Sequence, residues 1–347
     1  MRTIIIRADA DPFMGTGHVM RCLAVAEALI DTGVQCHFIT VSLPTALEER
    51  LRTAGMVVHR LDLTPSAAGG FDDLTAVRAL ATALNAEGAI VDGYQFESSW
   101  RAGLATEKRL TILAFDDLAT LPNLYADIVV NPSPAAKTLP YDRIAPNAQL
   151  LLGPAYAPLR REIRNAKAAP SLPFEQRRAL LLTFGGSDPL ALTTPCLKRL
   201  VMILSTEERL IVAIGPSNPH KDEIIQVAAA FGNRVETHFN CADMGSLMNR
   251  AGLAISAGGG TVGELAALGV PTLLVVVADN QAPAAGPATA TGWCRSIDAR
   301  GADVCDRIVE TTTILWQNLA IRKAMSENAR TLVDAQGALR IARALSP

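Results

Sequence analysis

The chain has 347 residues, more than the roughly 100–150 of a typical domain, so we expect two hydrophobic cores. Lysine and arginine total 32 against 34 for aspartate and glutamate, and this balance excludes a broad basic surface for nucleic acid. The composition is 49% hydrophobic, which excludes bulk disorder.

The cysteines and the apolar segments indicate the cellular compartment of the protein. Six cysteines are scattered without a CxxC pair or a metal-like pairing with the five histidines, which predicts reduced thiols and neither a metal nor another cofactor. The apolar run 3–6 is too short for a signal peptide, and the stretch 266–278 falls short of the ~20 residues of a membrane span. We therefore expect a cytoplasmic protein without stable membrane insertion. The oligomeric state is not encoded in any pattern of the sequence.

In the first half, short apolar runs alternate with amphipathic helical patterns. The runs predicted as strands are Thr3–Ala8, Gln35–Thr40, Met56–Leu61, Ala89–Val91, Leu110–Phe115 and Asp127–Val130. The predicted helices between them are Val19–Thr32, Thr45–Ala54, Leu74–Ala86 and Ser98–Lys108. Continuously apolar strands that alternate with helices predict a parallel sheet covered on both faces. We therefore predict a doubly wound, Rossmann-like domain over residues 1–154.

Prolines and charged residues then interrupt this rhythm, and we predict a linker over residues 155–178. Further strands are predicted at Ala179–Phe184, Leu210–Ile214, Val235–Phe239, Leu253–Ser256 and Thr272–Val277. They predict a second Rossmann-like α/β domain over residues 179–347. The stretch from Asp303 to Leu345 is predicted to be helical and to pack either on this domain or back on the first.

The connection after the first strand opens a helix and contains Gly15, Gly17 and His18. Ligands of open parallel sheets bind beyond the carboxyl ends of the strands, and the glycines allow the backbone to approach one closely. The helix dipole disfavours a charged imidazole, so we expect a neutral His18 that accepts a proton from water, oriented by Asp9 or Asp11. The alternative is that His18 only caps the helix.

A second glycine-containing connection follows the first strand of the second half. Gly185 and Gly186 precede Ser187 and Asp188, which lie where a helix N-cap is expected. Such a turn is compatible with an anion, which makes Gly185, Gly186 and Ser187 candidate contacts for one. The same residues also suit any tight connection from a strand to a helix.

A third connection carries three consecutive glycines, Gly258, Gly259 and Gly260, between a predicted strand and a helix. Their bare backbone amides predict a cradle for a diphosphate, and Thr261 caps the helix or donates to phosphate. Glu264, one turn further, is placed to accept hydrogen bonds from ribose hydroxyls. Its alternative role is to complement the helix dipole, worth ~0.3–1 kcal/mol.

Uncharged hydrogen-bonding groups end the next strand at Asn280 and Gln281. Side-chain amides both donate and accept, which suits sugar hydroxyls or an acetamido group. The adjacent carboxylates Asp116 and Asp117 have no third metal-ligand residue nearby in the sequence. We therefore interpret them as capping or loop-orienting residues.

The ordered set of these motifs resembles the PseG family, the UDP-2,4-diacetamido-2,4,6-trideoxy-beta-L-altropyranose hydrolases of pseudaminic acid biosynthesis. That family is similar in fold to MurG and other GT-B glycosyltransferases. The resemblance spans most of the chain. It rests on RAD…GTGHVMRC (7–22), VDGY (91–94), FDD (115–117), NPSP (131–134), GPAYAPLR (153–160), FGGSD (184–188), SAGGGTVGEL (256–265), GVP (269–271) and ADNQ (278–281).

The resemblance implies a GT-B fold, in which two Rossmann-like domains face each other across an interdomain cleft. It implies that the second domain holds UDP, and we assign to UDP binding the residues Gly185, Gly186, Ser187, Gly258, Gly259, Gly260, Thr261 and Glu264. It also implies that water attacks the anomeric carbon with inversion, without a metal. His18 matches the catalytic base, Tyr94 lines the sugar site, and Asn280 and Gln281 contact the sugar. Within the first motif we also assign Arg7, Asp9, Gly15, Gly17 and Arg21 to substrate binding.

Two other functions stay open. A MurG-like transferase would pass an N-acetylated sugar from UDP to an acceptor, and an apolar or basic membrane-docking patch in the first half would favour it. The sequence shows no clear patch of that kind. A non-catalytic module would bind UDP-sugar without turnover, and the presence of His18 argues against it.

Overall fold

Two separate parallel sheets organise the chain in the computed structural model, which describes residues 2–11, 14–301 and 304–345. The first unit consists of the described residues of Met1–Arg161 and Gln336–Pro347, and the second unit is Glu162–Ala335. Among the described residues, no helix is long and apolar enough to span a bilayer.

Within the described part of the first unit, seven parallel strands form one sheet in the order β3-β2-β1-β4-β5-β6-β7. Their bounds are β1 Thr3–Arg7, β2 Gln35–Thr40, β3 Val57–Arg60, β4 Gly88–Val91, β5 Thr111–Phe115, β6 Ile128–Asn131 and β7 Gln149–Leu152. Every residue of β1, β4 and β6 is buried, because helices cover both faces of the sheet. The strand order reverses between β1 and β4, the point at which doubly wound folds bind ligands.

The helices of the first unit follow the strands as the sequence predicts. Their bounds are α1 Gly17–Ile30, α2 Thr45–Thr53, α3 Phe71–Ala83, α4 Ser98–Leu104 and α5 Tyr141–Ile144. Helix α1 buries Leu23, Val25 and Leu29 in the larger core of the unit. The chain leaves α1 through Gly33, whose φ of 86° is the left-handed conformation that favours glycine after a helix.

A last helix, α14 (Gly337–Leu345), belongs to the first unit although it follows the whole second unit in the chain. Ile341 and Leu345 are fully buried and belong to the same core as Ile4 and Leu23. The helical prediction for 303–345 is met by α14 together with α12 (Val304–Gln317) and α13 (Leu319–Leu332), while Asp303 lies outside the described residues.

The first turn of α14 packs so closely that only glycine fits at its start. A β-carbon on Gly337 would lie 2.2 Å from the Ala157 carbonyl oxygen and 2.7 Å from the Ala157 nitrogen. We expect Gly337→Ala to destabilise the first unit by about 1–3 kcal/mol, because the backbone must shift to relieve the overlap. Hydrogen exchange should show a lower opening free energy in α1 and β1 and an unchanged one in the second unit.

Gly286→Ala is the matched control, because a β-carbon on Gly286 would meet no heavy atom within 4 Å. It should leave exchange in both units unchanged. Equal protection of α1 in Gly337→Ala and in the unsubstituted protein would show that α14 is not held at this contact.

The second unit repeats the same topology. Its described residues form a six-stranded parallel sheet in the order β10-β9-β8-β11-β12-β13. The strands are β8 Ala179–Thr183, β9 Arg209–Ile214, β10 Val235–Phe239, β11 Ala251–Ala257, β12 Thr272–Val276 and β13 Cys294–Asp298. Besides α12 and α13, the helices are α6 Arg161–Ala168, α7 Thr193–Ile203, α8 Lys221–Ala229, α9 Met244–Arg250, α10 Thr261–Ala267 and α11 Ala282–Ala290. The order reverses between β8 and β11.

The segment 155–178, predicted as a linker, is more ordered than its proline and charge content indicates. It contains α6, and the side chains of Leu159 and Ile163 are buried. The change from one unit to the other falls at Arg161, the first residue of this helix. The apolar positions within the charged run are sufficient to pack it.

Candidate active site

His18 lies at the point where the strand order of the first sheet reverses. It is the second residue of α1, which follows β1, while Asp92 follows β4 directly. Because β1 and β4 are neighbours in the sheet, their carboxyl ends bring these two side chains together. His18 Nδ1 is 2.7 Å from Asp92 Oδ1, and both residues are buried.

The charge state of Asp92 determines which imidazole nitrogen can act as a base. Burial alone would raise the pKa of Asp92, but the Arg21 guanidinium, and after it His18, hold that pKa well below its usual range. An ionised carboxylate only accepts hydrogen bonds, so His18 Nδ1 carries the proton that Asp92 binds. With its proton on Nδ1, the ring has Nε2 as the nitrogen that can accept a proton, which is the requirement for a general base.

Arg21, one turn along α1, joins two carboxylates of this cluster. Its Nε donates to Asp92 Oδ2 at 2.5 Å, its Nη2 donates to Asp92 Oδ1 at 2.7 Å, and its Nη1 donates to Asp117 Oδ1 at 2.7 Å. The guanidinium also lies 4.8 Å from the ring centre of Phe115. Arg21, predicted to bind substrate, is thus committed to ion pairs that fix Asp92 and Asp117.

Tyr94 packs against the imidazole and remains accessible. The two ring centres are 4.9 Å apart with an edge-to-face angle of 85°, and Tyr94 is 49% exposed. Its hydroxyl donates to Asp117 Oδ2 at 3.0 Å. Tyr94 therefore covers one side of His18 with a surface that a sugar ring could contact.

A hydrogen-bonded cluster of Tyr141, Asn131 and Asp116 holds the segment that carries Asp117. The Tyr141 hydroxyl donates to Asp116 Oδ2 at 2.6 Å, and Asn131 Nδ2 donates to that hydroxyl at 2.8 Å. Asn131 Nδ2 is also 3.4 Å from the Asp117 carbonyl oxygen. The prediction that Asp116 and Asp117 orient a loop agrees with these contacts, and the NPSP motif supplies the asparagine.

Two sequence-based assignments in the first loop need correction. Arg7 and Asp9, predicted to bind substrate, are 1% and 2% exposed and form a buried ion pair at 2.8 Å. Arg7 Nε and Nη2 also donate to the two carboxylate oxygens of Asp73, at 3.0 and 2.7 Å. Asp9 Oδ1 accepts from the Val41 amide. These contacts satisfy both side chains inside the first unit and leave almost none of their surface accessible.

The expectation that Asp9 or Asp11 orients His18 is also wrong, since Asp92 has that position. Asp11 instead organises the turn before α1. Its Oδ1 accepts from the Met14 amide at 2.6 Å, and its carbonyl oxygen accepts from the Gly15 amide at 2.9 Å. Gly15 has φ of 77°, so glycine is favoured there for its backbone conformation, whereas Gly17 is exposed at the start of α1.

In the second unit, the loop after β8 and the glycine loop after β11 flank the corresponding reversal point. In the first of these, Asp188 accepts from the Leu192 and Thr193 amides at 3.0 and 2.9 Å and so caps α7. Gly185 has φ of 77°, and Ser187 is half-buried. These contacts explain the conformation of the turn. The UDP contacts of Gly185, Gly186 and Ser187 stay a prediction.

The sequence analysis missed a partner of this loop, the segment 215–218 after β9. A β-carbon on Gly215 would lie 2.2 Å from the Gly185 carbonyl oxygen, and the Ser217 amide donates to the Gly186 carbonyl oxygen at 3.0 Å. The two connections therefore support each other. The signal was a Gly-Pro-Ser-Asn sequence directly after a predicted strand, which is a turn with a fixed backbone.

The triple-glycine loop is braced by Gln281. The Oε1 atom of Gln281 accepts from the Gly258 amide at 3.2 Å and from the Val277 amide at 3.0 Å. By contrast, Gly259 and Gly260 are exposed, and a β-carbon on either would have no heavy atom within 4 Å. The loop thus has one anchored end and an open end.

The remaining predicted contacts of the second unit surround this loop. Thr261 is the first residue of α10, Glu264 on the same helix is 6% exposed, and Asn280 is exposed. Gln281 is predicted to contact the sugar. Its side-chain oxygen Oε1 accepts hydrogen bonds from two backbone amides, so its side-chain nitrogen Nε2 is the group that remains to bind a ligand.

Comparison with known proteins agrees with this architecture. Residues 180–338 match the model of the Glycosyltransferase family 28 C-terminal domain. The spore coat polysaccharide biosynthesis protein SpsG of Bacillus subtilis is 23% identical over 97% of this chain and 95% of its own length. An uncharacterized protein of Methanocaldococcus jannaschii is 25% identical over 78% of this chain. The matched region makes up only 55% of the length of that relative.

Solved structures extend the similarity to the whole chain. The crystal structure of Acinetobacter baumannii MurG superposes with a TM-score of 0.64 over 99% of both chains at 17% identity. At this identity the comparison establishes the fold. With two parallel α/β units of the same strand order and a family 28 domain match over residues 180–338, the chain has the two-domain, Rossmann-like GT-B fold found in MurG.

Proposed function

We propose that the protein is a glycosyltransferase-type enzyme that transfers a sugar from UDP to a hydroxyl acceptor, with His18 as the general base. The observation that carries the proposal is the hydrogen bond between His18 Nδ1 and the ionised Asp92 at the reversal point of the first sheet. A buried histidine held in this way is typical of acid–base catalysis.

The proposed step involves one nucleophile and one leaving group. His18 Nε2 takes the proton of the attacking hydroxyl as its oxygen bonds to the anomeric carbon. The bond from that carbon to the diphosphate oxygen breaks, and its electrons leave with UDP. Asp92 stabilises the imidazolium that forms, in the role that a buried carboxylate has beside a catalytic histidine.

The second unit supports the nucleotide part of the proposal. Gly259 and Gly260 present exposed backbone beside a loop that Gln281 fixes, and such amides suit diphosphate oxygens. Glu264, in the first turn of the helix that follows this loop, is the proposed acceptor of hydrogen bonds from the ribose hydroxyls. The family 28 domain match covers all of these residues.

Hydrolysis is the second candidate, with water as the attacking group and a UDP-linked diacetamido-trideoxyhexose as substrate. It is favoured by the charge of the connections that follow β1, β4 and β5. These connections contain no lysine or arginine, and their aspartates include Asp9, Asp11, Asp92, Asp116 and Asp117. The cation beside them, Arg21, is already paired with Asp92 and Asp117, so these connections favour water and neutral sugars over an anionic acceptor.

One experiment separates these functions. The protein is incubated with UDP-N-acetylglucosamine and with a panel of UDP-diacetamido-trideoxyhexoses, with and without hydroxyl acceptors, and UDP and free sugar are measured. UDP release that requires an acceptor supports transfer. Equal amounts of UDP and free sugar without an acceptor support hydrolysis. Binding of UDP without any release would contradict both.

The glycine loop gives a test that does not depend on turnover. We expect the double substitution Gly259→Ala, Gly260→Ala to weaken UDP binding by about tenfold or more, near 1.4 kcal/mol, because two methyl groups would face the diphosphate. Calorimetric titration with UDP measures the change. Since both β-carbons fit the free protein, thermal stability should not fall. Gly286→Ala is the control, and unchanged UDP affinity in the double variant would remove this loop from the proposed site.

A further inference from the structure

Two cysteines of the second unit lie side by side on neighbouring helices. Cys196 is on α7 and Cys305 is on α12, and their sulfur atoms are 3.7 Å apart. Cys196 is fully buried in the core of the unit, and Cys305 packs on the edge of that core with partial exposure. One thiol of the pair is therefore within reach of a small reagent.

The charges around the pair distinguish the two sulfur atoms. Arg199, one turn after Cys196, forms an ion pair with Asp306, the residue next to Cys305. The hydrogen bond from the Cys196 thiol, and then Arg199, lower the pKa of Cys305 to about 6 despite its burial. The same hydrogen bond, followed by burial, raises the pKa of Cys196. Cys305, the more exposed thiol and the one beside Arg199, is thus the nucleophile of the pair, and Cys196 is its buried neighbour.

Other thiols of the chain have a different environment. Burial raises the pKa of both Cys36 and Cys294 to about 12, so each is a protonated thiol at neutral pH. Burial also raises the pKa of Cys22 well above its usual value. Reactivity toward a small oxidant therefore favours Cys305 over these three.

We propose that Cys196 and Cys305 are a redox-active pair that closes reversibly into a disulfide joining α7 to α12. A disulfide needs a sulfur separation of about 2.05 Å, so the atoms approach by about 1.7 Å from their 3.7 Å contact. Rotation of the two side chains and a small shift of the packed helices supply this distance. The pair is a modification site, and no step of the proposed enzyme activity uses either thiol.

The chemistry is a thiol exchange with a low-molecular-weight disulfide as oxidant. The Cys305 thiolate attacks one sulfur of the reagent, forms a mixed disulfide and expels one thiolate. The Cys196 sulfur then attacks the Cys305 sulfur, expels the second thiolate and gives up its proton to it. Two protein thiols are oxidised, one small disulfide is reduced to two thiols, and reduction by a dithiol reverses the reaction.

The test uses the full chain and oxidised glutathione at neutral pH. Free thiols are blocked with N-ethylmaleimide under denaturing conditions, and the non-reduced digest is examined by mass spectrometry. We expect a peptide that links Cys196 to Cys305, which dithiothreitol removes and renewed oxidation restores. Cys294→Ser is the matched control and should keep the link, whereas Cys305→Ser should lose it.

Labelling kinetics provide a second measurement on the unsubstituted protein. Limiting iodoacetamide should modify Cys305 before Cys22, Cys36 or Cys294. Arg199→Gln should slow this labelling, because it removes the cation beside the thiolate. A glutathione adduct on Cys305 without the link, or a link to another cysteine, would overturn the proposal. Labelling of Cys294 ahead of Cys305 would overturn it as well.

Discussion

The substitution His18→Asn is expected to lower UDP-sugar turnover by about 10²–10⁴-fold, the usual contribution of a general base. The asparagine amide can still donate to Asp92, so the buried carboxylate keeps a partner, but no basic nitrogen remains to take the proton. The proposed nucleotide contacts belong to the second unit, so UDP affinity should change by less than a few-fold. Steady-state UDP release and calorimetric UDP titration measure the two effects.

A second histidine of the first unit provides the control. His59 lies on β3 and hydrogen-bonds His37 on the neighbouring strand, with a nitrogen separation of 2.9 Å, whereas Asp92 follows β4. His59→Asn should leave turnover unchanged. Near-full activity of His18→Asn would remove this residue from the mechanism, whatever its effect on stability.

Asp92→Asn is expected to reduce both turnover and stability. The amide no longer requires a proton on His18 Nδ1, so the ring can adopt the tautomer in which Nε2 is protonated and cannot act as a base. Arg21 also loses a buried anionic partner, a change that typically costs about 3–5 kcal/mol. Turnover and the unfolding free energy of the first unit, followed by hydrogen exchange, measure the two effects.

The pH dependence gives Asp92→Asn a specific signature. The pKa of Asp92 is depressed in the folded state, so its contribution to stability is present above the ordinary aspartate value of about 3.9. It is lost as the pH falls toward the depressed value. The unsubstituted protein should therefore lose more stability below pH ~4 than Asp92→Asn does. The exposed Asp62→Asn is the control and should follow the unsubstituted protein. Parallel pH curves for the unsubstituted protein and Asp92→Asn would contradict the buried ion pair.

Much of the fold was predictable because most strands are continuous apolar runs. Strands β2 and β10 agree with their predicted bounds, and β1 differs by one residue. Strand β7 was missed because it is short and follows polar residues. Strand β13 was missed because only Cys294 and Ile297 are buried among its five residues, as expected for a strand with one neighbour in the sheet. Periodicity does not identify strands that lack an apolar run.

The candidate site was predictable only in part. The position of His18 followed from its place between a strand and a helix, but its partner Asp92 is 74 residues away and depends on the pairing of β1 with β4. Arg7 and Asp9 were misassigned because a charge at a strand end suggests ligand contact, whereas Asp73, from a helix further along the chain, pairs with Arg7. Local patterns locate the loops, and tertiary contacts decide which side chains face them.

The position of α14 has a consequence for biosynthesis. Since Ile341 and Leu345 complete the core that β1 and α1 begin, the ribosome must translate the intervening residues 162–335 before the first unit can close. The second unit is continuous in the chain and needs no such delay. During translation the part of this core that α14 covers is therefore exposed, and this interval is when a chaperone would have most effect on the yield of native protein.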